Sequence, residues 1–157
     1  MQMEMPKVTE HHAKLKDLAG TWVAEEQISP SPWDPEGGPA VGKATARVDV
    51  DGFFLLMDYV QERGGKVSYR GHGVYGWDAK EKCYTMHWFD SFGMPLVGPA
   101  RGTWEGNRLM FQNNTPMGQG RYIYEFEGDG RYRFKIENSP DGNNWTTFME
   151  GRYTRKK

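Results

Sequence analysis

The sequence has few of the features that would assign it to a specialised compartment. Cys83 is the only cysteine among 157 residues, so an internal disulfide is impossible. No apolar run approaches the about 20 residues that a membrane-spanning helix needs. The start, MQMEMPKVTEHH, lacks the apolar core of a secretory signal. We therefore expect a soluble, cytoplasmic protein, with earlier removal of a signal peptide as the open alternative.

An excess of charge of either sign is also missing. Lys and Arg number 20 against 21 Asp and Glu, which gives a formal net charge of −1. Proteins that bind nucleic acid or anionic membranes usually carry a basic surface. The basic residues Arg155–Lys157 at the C-terminus are too few to supply one. We expect neither nucleic acid nor a membrane among the partners.

Catalytic sequence signatures are absent as well. The chain has no G-x-S-x-G, no H-E-x-x-H, no glycine-rich phosphate loop and no C-x-x-C pair. Gly71-His72-Gly73 and Gly118-Gln119-Gly120 are too short to hold a nucleotide, and we interpret them as relief of crowding beside large aromatic side chains. The sequence predicts no bound cofactor or metal and favours a binding protein over an enzyme.

Aromatic residues and glycines are abundant instead. Phe, Trp and Tyr make up 14% of the chain, and there are 20 glycines, a mixture typical of short twisted strands and tight turns. Only residues 8–19 are predicted to form a helix, which Thr9 can cap and Gly20 can end. A helix this short needs a larger body to pack against. Residues 1–7 before it are expected to be flexible.

From Thr21 onward the hydrophobic period is two residues, which indicates β-strands. In the segment 131–137, for example, Tyr132, Phe134 and Ile136 alternate with charged residues. The predicted strands are 21–28, 43–50, 53–63, 66–77, 82–90, 99–104, 108–114, 121–127, 131–137 and 144–154. About ten closely spaced strands without a linker predict one all-β domain over residues 1–157, an up-and-down antiparallel β-barrel.

The turns between these strands fall into two groups. Short turns such as Asp51-Gly52 alternate with long loops such as Ser29–Pro39, as expected for a barrel with a closed end and a loop-rich mouth. Three tryptophans, Trp22, Trp77 and Trp104, are then predicted to lie at the closed end. The N-terminal helix is expected to cover the barrel there.

The sequence Gly20-Thr21-Trp22, directly after a short helix, resembles the opening of the calycin superfamily, which includes the lipocalins and the fatty-acid-binding proteins. In lipocalins an arginine near the end of the barrel covers this tryptophan. Arg152 is the matching candidate. The resemblance implies a barrel of the lipocalin type.

Further segments extend the resemblance over nearly the whole chain: SPSPWDPEGG (29–38), DGFF (51–54), RGHGVYGWD (70–78), YTMHWFDSFG (84–93), ARGTWEG (100–106) and FMEG (148–151). Together they resemble a bacterial calycin-like family known only as a domain of unknown function. This implies the barrel but no activity or catalytic residue. The related nitrobindins bind haem through a histidine close to the C-terminus. No histidine follows His87 here, which argues against that function.

Aromatic and methionine side chains form the candidate binding surface. Small-ligand pockets are largely apolar and aromatic, with a few polar groups such as phenol hydroxyls. We predict that a small, largely apolar ligand is bound inside the barrel by Trp33, Tyr59, Tyr69, Met86, Trp88, Phe111, Tyr122, Tyr124, Phe134 and Trp145. The open alternative is that the same side chains fill the barrel completely.

Two histidines on successive strands carry an alternative hypothesis, an enzyme on the same scaffold. Depending on the strand register, His72 and His87 either face each other or point to opposite faces of the sheet. If they face each other, they could act with a carboxylate such as Asp90. Charged residues within the strand patterns that can also point inward are Asp58, Glu62, Arg70, Arg101 and Glu150.

A third hypothesis is an interaction module with a filled barrel. Trp33, Met94, Met117 and Trp145 lie on or beside the long loops, and exposed aromatic and methionine side chains suit a homodimer interface. They suit an adaptable lid over an apolar ligand equally well. The sequence leaves open whether the protein is a monomer or a homodimer.

Overall fold

The computed structural model describes residues 3–96, 98–128 and 130–156. A short helix, α1 (Glu10–Lys14), continues into a 3₁₀ turn, Leu15–Leu18, and ten strands follow. The strands are β1 (Gly20–Ile28), β2 (Gly38–Asp49), β3 (Phe54–Arg63), β4 (Lys66–Asp78), β5 (Cys83–Asp90), β6 (Ala100–Glu105), β7 (Arg108–Thr115), β8 (Gly118–Phe126), β9 (Arg131–Ser139) and β10 (Thr146–Arg155). Residues 1, 2, 97, 129 and 157 lie outside this description.

The strands form one closed antiparallel barrel in which each strand pairs with its neighbours in sequence. The barrel closes between β1 and β10, whose register runs from Trp22 opposite Arg155 to Ile28 opposite Met149. Every pair of neighbouring strands is antiparallel, so the chain runs up and down around the barrel. The predicted all-β, ten-stranded barrel with a short N-terminal helix is confirmed.

The predicted helix over residues 8–19 is present in a shorter and tighter form. Thr9 caps it: its hydroxyl oxygen accepts a hydrogen bond from the backbone N–H of His11, at 3.2 Å. The Nδ1 atom of His12 in turn accepts the backbone N–H of Thr9, at 2.9 Å. This reciprocal pair is a capping box, with histidine in the place that Glu or Gln usually takes. The following 3₁₀ turn buries Leu15 and Leu18 completely.

The helix lies against the closed end, where the three predicted tryptophans are found. Trp22 is buried, and its indole N–H donates to the carbonyl of Leu18 at 2.9 Å. Trp77 stacks on His11 with ring centroids 4.0 Å apart. The ammonium of Lys14 lies 4.6 Å from the ring of Trp104. Helix and barrel floor are thus joined by aromatic contacts, as predicted.

The arginine that covers Trp22 is Arg155, not Arg152. Its guanidinium lies 4.5 Å from the indole ring and donates to the backbone carbonyls of Ala19 and Asp17, each at 3.1 Å. Arg155 is directly opposite Trp22 in the strand pairing, whereas Arg152 is opposite Glu25 on the solvent side. Alternation along β10 therefore selects Arg155 for this contact.

No helix in the described ranges is long and apolar enough to cross a membrane.

Candidate ligand-binding cavity

The barrel contains a cavity of about 660 Å³ that opens towards the long loops. Its upper wall includes exposed side chains of the β1–β2 loop, such as Trp33, and of the β5–β6 loop, such as Phe92 and Met94. Its lower wall is formed by buried tyrosines, among them Tyr75 and Tyr124. The ten-stranded barrel is therefore not filled by its own side chains.

Eight of the ten predicted binding residues line this cavity: Trp33, Tyr59, Tyr69, Met86, Trp88, Tyr122, Tyr124 and Phe134. Phe111 points inward but is completely buried below the cavity, 5.8 Å from Tyr75 and 6.2 Å from Tyr124 between ring centroids. Trp145 lies outside the barrel, where its ring stacks over the guanidinium of Arg121 at 3.9 Å. It belongs to the connection before β10, so no strand turns it inward.

One side of the cavity carries a chain of hydrogen bonds that ends in a carboxylate. The indole N–H of Trp88 donates to the hydroxyl of Tyr69 at 2.7 Å. That hydroxyl donates to Oδ2 of Asp90 at 2.8 Å. Burial raises the pKa of Tyr69, and the neighbouring Asp90 charge adds to the effect. Tyr69 is therefore a neutral hydrogen-bond donor at physiological pH.

The glycines of the GHG sequence make room for this arrangement. The ring of Trp88 lies against the backbone of β4, and a methyl group at Gly71 would come within 2.1 Å of it. At Gly73 the corresponding distance is 2.9 Å. The predicted role of these glycines, relief of crowding beside large aromatic rings, is confirmed.

Two tyrosines share a hydrogen bond at the base of the cavity. The hydroxyl oxygens of Tyr75 and Tyr124 are 2.7 Å apart, and the Tyr75 hydroxyl also lies 3.7 Å from the sulfur of Met57. Burial raises the pKa of Tyr75 to about 12 and also raises the pKa of Tyr124. Both phenols stay protonated near neutral pH, so they can orient a ligand but are poorly suited to act as bases.

A buried carboxylate, Glu26, lies behind the cavity wall. The hydroxyl of Tyr59 donates to its two oxygens at 2.7 and 2.8 Å, that of Tyr153 to one oxygen at 2.5 Å, and the amide of Gln61 to the other at 3.3 Å. Burial raises the pKa of Glu26 even though these hydrogen bonds lower it. The three donors all line the cavity, whereas the carboxylate itself does not.

The inward-facing charges differ from those that the sequence suggested. Asp58, Glu62, Arg70, Arg101 and Glu150 all lie on the solvent face of the barrel or at its rim. On the described strands, the charged side chains that point into the cavity or its wall are Glu26, Arg63 and Asp90. Each continues an apolar alternation towards the mouth, for example Trp22, Ala24, Glu26 on β1. The alternation of inward and outward residues along each strand could therefore have identified these inward-facing charges.

Arg63 holds a loop at the mouth. Its guanidinium pairs with the carboxylate of Asp34 and donates to the carbonyl of Gly37 at 2.6 Å. Asp34 also accepts the backbone N–H of Gly37 at 3.1 Å. The arginine therefore fixes the β1–β2 loop over one side of the opening. Its charge is therefore balanced by Asp34 within the protein itself.

The histidines are not assembled into a site. Neither of the two predicted arrangements is found, because His72 pairs with Phe89 and His87 pairs with Val74. The two rings share the outer face but are diagonal to each other. Nδ1 of His72 contacts Asp58 at 2.8 Å, while Asp90 points into the barrel on the opposite face. In the ranges that the structure describes, no group of three His, Cys, Asp or Glu side chains could hold a metal ion.

These features define a class: closed, up-and-down antiparallel β-barrels with an aromatic internal cavity. Residues 7–155 match a family described as protein of unknown function, DUF1579, and the chain belongs to this family. The crystal structure of Rv2717c from M. tuberculosis is similar, with a TM-score of 0.72 and 12% sequence identity, over 96% of this chain and 100% of that one. At this identity the likeness establishes the fold alone. No curated protein matches the sequence.

Proposed function

We propose that the protein binds a small, largely apolar molecule inside the barrel. The observation that carries the proposal is the cavity of about 660 Å³, lined chiefly by aromatic and aliphatic side chains. Pockets for small ligands are commonly of about 300–1,000 Å³ and mostly apolar, with a few polar groups that fix orientation. The calycin resemblance of the sequence supports the same function.

Binding is driven by removal of the ligand from water. Transfer of apolar surface into such a cavity contributes roughly 25 cal/mol for each Å² buried. The hydroxyls of Tyr75 and Tyr124 at the base and the amide of Gln61 on the wall can then orient any polar group of the ligand. The phenols remain uncharged because burial raises their pKa values.

The mouth supports entry of an apolar molecule. Trp33, Phe92, Met94 and Leu96 line the upper cavity, and each of them is more than half exposed. Exposed aromatic and methionine side chains around an opening can adapt to a bound molecule and cover it.

The same side chains support a second candidate, a homodimer formed mouth to mouth. Sedimentation over a wide concentration range tests the second candidate, and a strictly monomeric protein would rule it out.

Native mass spectrometry tests the first candidate directly. Protein purified from its own host is weighed under native and under denaturing conditions. We expect a reproducible extra mass that is lost on denaturation and that identifies the ligand.

A cavity-filling variant provides the control. Ala100 is buried and lines the cavity, so Ala100→Phe should occupy ligand volume. Ala79 lies exposed in the turn between β4 and β5, so Ala79→Phe adds the same ring outside. N-phenyl-1-naphthylamine, a neutral probe that fluoresces in apolar surroundings, should bind wild type and Ala79→Phe but not Ala100→Phe. A native mass without extra ligand, together with no probe binding to wild type, would overturn the proposal.

A further inference from the structure

The charges that line the cavity do not balance. Among the described residues the lining contains one cationic side chain, Arg63, and two carboxylates, Asp34 and Asp90. Arg63 pairs with Asp34. Asp90 is thus the charge of the lining that no cation balances. Glu26 lies behind the wall and, as a second acidic group, cannot balance it.

Asp90 has hydrogen-bond donors but no cationic partner. Its Oδ2 accepts the hydroxyl of Tyr69 at 2.8 Å, and its Oδ1 accepts the backbone N–H of Phe92 at 3.1 Å. In the part of the chain that the structure describes, no Lys, Arg or His side chain forms an ion pair with it. Each carboxylate oxygen accepts one hydrogen bond and can accept another. The carboxylate is therefore oriented by the protein while part of its acceptor capacity is unused.

Aromatic rings cluster around Tyr69, the side chain that donates its hydroxyl to this carboxylate. Tyr69 lies 5.1 Å from Phe92 and 5.9 Å from Tyr59, and Tyr59 lies 6.2 Å from Trp88, all between ring centroids. Aromatic faces attract cations through the ring quadrupole, most strongly where water is excluded. An oriented carboxylate beside several such rings favours an ammonium group over a neutral or anionic one.

We propose that the ligand is an amine: a protonated primary or secondary ammonium on an apolar body, with the ammonium bound by Asp90 among Tyr69, Trp88 and Phe92. The apolar body extends towards the tyrosines at the base of the cavity. This inference rests on the proposed binding function and adds the class of ligand. A carboxylate ligand is disfavoured, because it would meet Asp90 and find the arginine of the lining already paired.

Three probes with the same ring test the inference on the wild-type protein. They are 1-naphthylmethylamine, 1-naphthylmethanol and 1-naphthoic acid, which at neutral pH are cationic, neutral and anionic. Their dissociation constants are measured by calorimetry at low salt. Both the amine and the alcohol can donate to Asp90, but a hydrogen bond between two opposite charges is stronger than one from a neutral donor. The amine should therefore bind at least about tenfold more tightly than the alcohol. The acid should bind most weakly.

The outcomes separate the two proposals. If the alcohol binds as tightly as the amine, the amine inference is wrong and the proposed binding function stands. If the acid binds most tightly, the cavity prefers an anionic ligand and the amine inference is wrong. If none of the three binds, both proposals fail for ligands of this size.

Asp90→Asn locates the charge responsible. We expect it to remove most of the preference for the amine over the alcohol, because the amide keeps the shape of the carboxylate and loses its charge. Asp58→Asn is the matched control: it removes a carboxylate from the outer face of β3 and should leave the preference unchanged. Circular dichroism confirms that each variant is folded. Loss of the preference in Asp58→Asn, or its persistence in a folded Asp90→Asn, would overturn the assignment.

Discussion

Gly71 is the position at which a single methyl group tests the packing of the cavity wall. Its Cβ would lie 2.1 Å from Cζ2 of Trp88 and 2.7 Å from Cε2, well inside van der Waals contact. The indole must therefore move when Gly71 is replaced by alanine. The hydrogen bond that it donates to Tyr69 at 2.7 Å is then lost or weakened.

The cost follows from three contributions. Overpacking typically costs about 1–3 kcal/mol, and a lost neutral hydrogen bond costs about 0.5–1.5 kcal/mol. Alanine is favoured over glycine within a strand by roughly 0.5–1 kcal/mol, which offsets part of this. Together they give an expected loss of about 0.5–4 kcal/mol in the free energy of unfolding of Gly71→Ala. At about 2–4 °C for each kcal/mol, Tm should fall by roughly 1–16 °C.

A double-mutant cycle with Trp88→Leu identifies the cause. Urea unfolding is followed by far-UV circular dichroism, which does not depend on the fluorescence of the replaced tryptophan. Without the indole the methyl group has room, so Gly71→Ala should cost at least about 1 kcal/mol less in the Trp88→Leu background than in wild type. An equal cost in both backgrounds, or a Gly71→Ala protein as stable as wild type, would refute the reasoning.

Three further substitutions test the floor and the buried carboxylate. Arg155→Ala should lower the free energy of unfolding by about 1–2 kcal/mol, since it removes two hydrogen bonds and a stacked cation. Arg152→Ala is the control and should change it by less than about 0.5 kcal/mol. Thermal unfolding compares the two variants. Leu18→Ala should cost about 2–5 kcal/mol in urea unfolding because the side chain is completely buried, and the exposed Leu96→Ala almost nothing. Burial raises the folded-state pKa of Glu26 above its ordinary value of 4.5, so its ionisation opposes folding as pH rises. Glu26→Gln should therefore gain stability relative to wild type as pH rises from 4.5 through the raised pKa, and a relative loss over that window would contradict this.

The inward faces of the strands could be predicted from sequence because side chains alternate irrespective of which strand is the partner. Tyr59, Met86 and Trp88 each continue an apolar alternation, and each lines the cavity. Trp145 shows where this reasoning ends. It lies in a connection rather than a strand, so alternation does not define its direction, and it packs on Arg121 outside the barrel.

The strand register could not be predicted, and it determines which residues meet. Residues in the turn between β4 and β5 can close the hairpin in several ways, and each shift by one residue changes the partner of every later position. Lys82 has a positive φ of 53° in this turn, so it belongs to the turn rather than to β5. The pairing therefore starts at Asp78 and Cys83, which leaves His72 and His87 diagonal.

Whether the barrel is filled or open depends on whether its large side chains lie along the wall or project into the centre. Glycines on the inner wall influence this orientation. The ring of Trp88 lies flat against Gly71 and Gly73. The side chain of Glu26 is similarly pressed between Gly42 and Gly151, where added methyl groups would come within 2.7 and 2.9 Å of it. A side chain that lies along the wall leaves the centre of the barrel free, whereas one that stands away from the wall fills it. Glycines on the inner wall thus contribute to an open cavity, in addition to the relief of crowding that the sequence suggested.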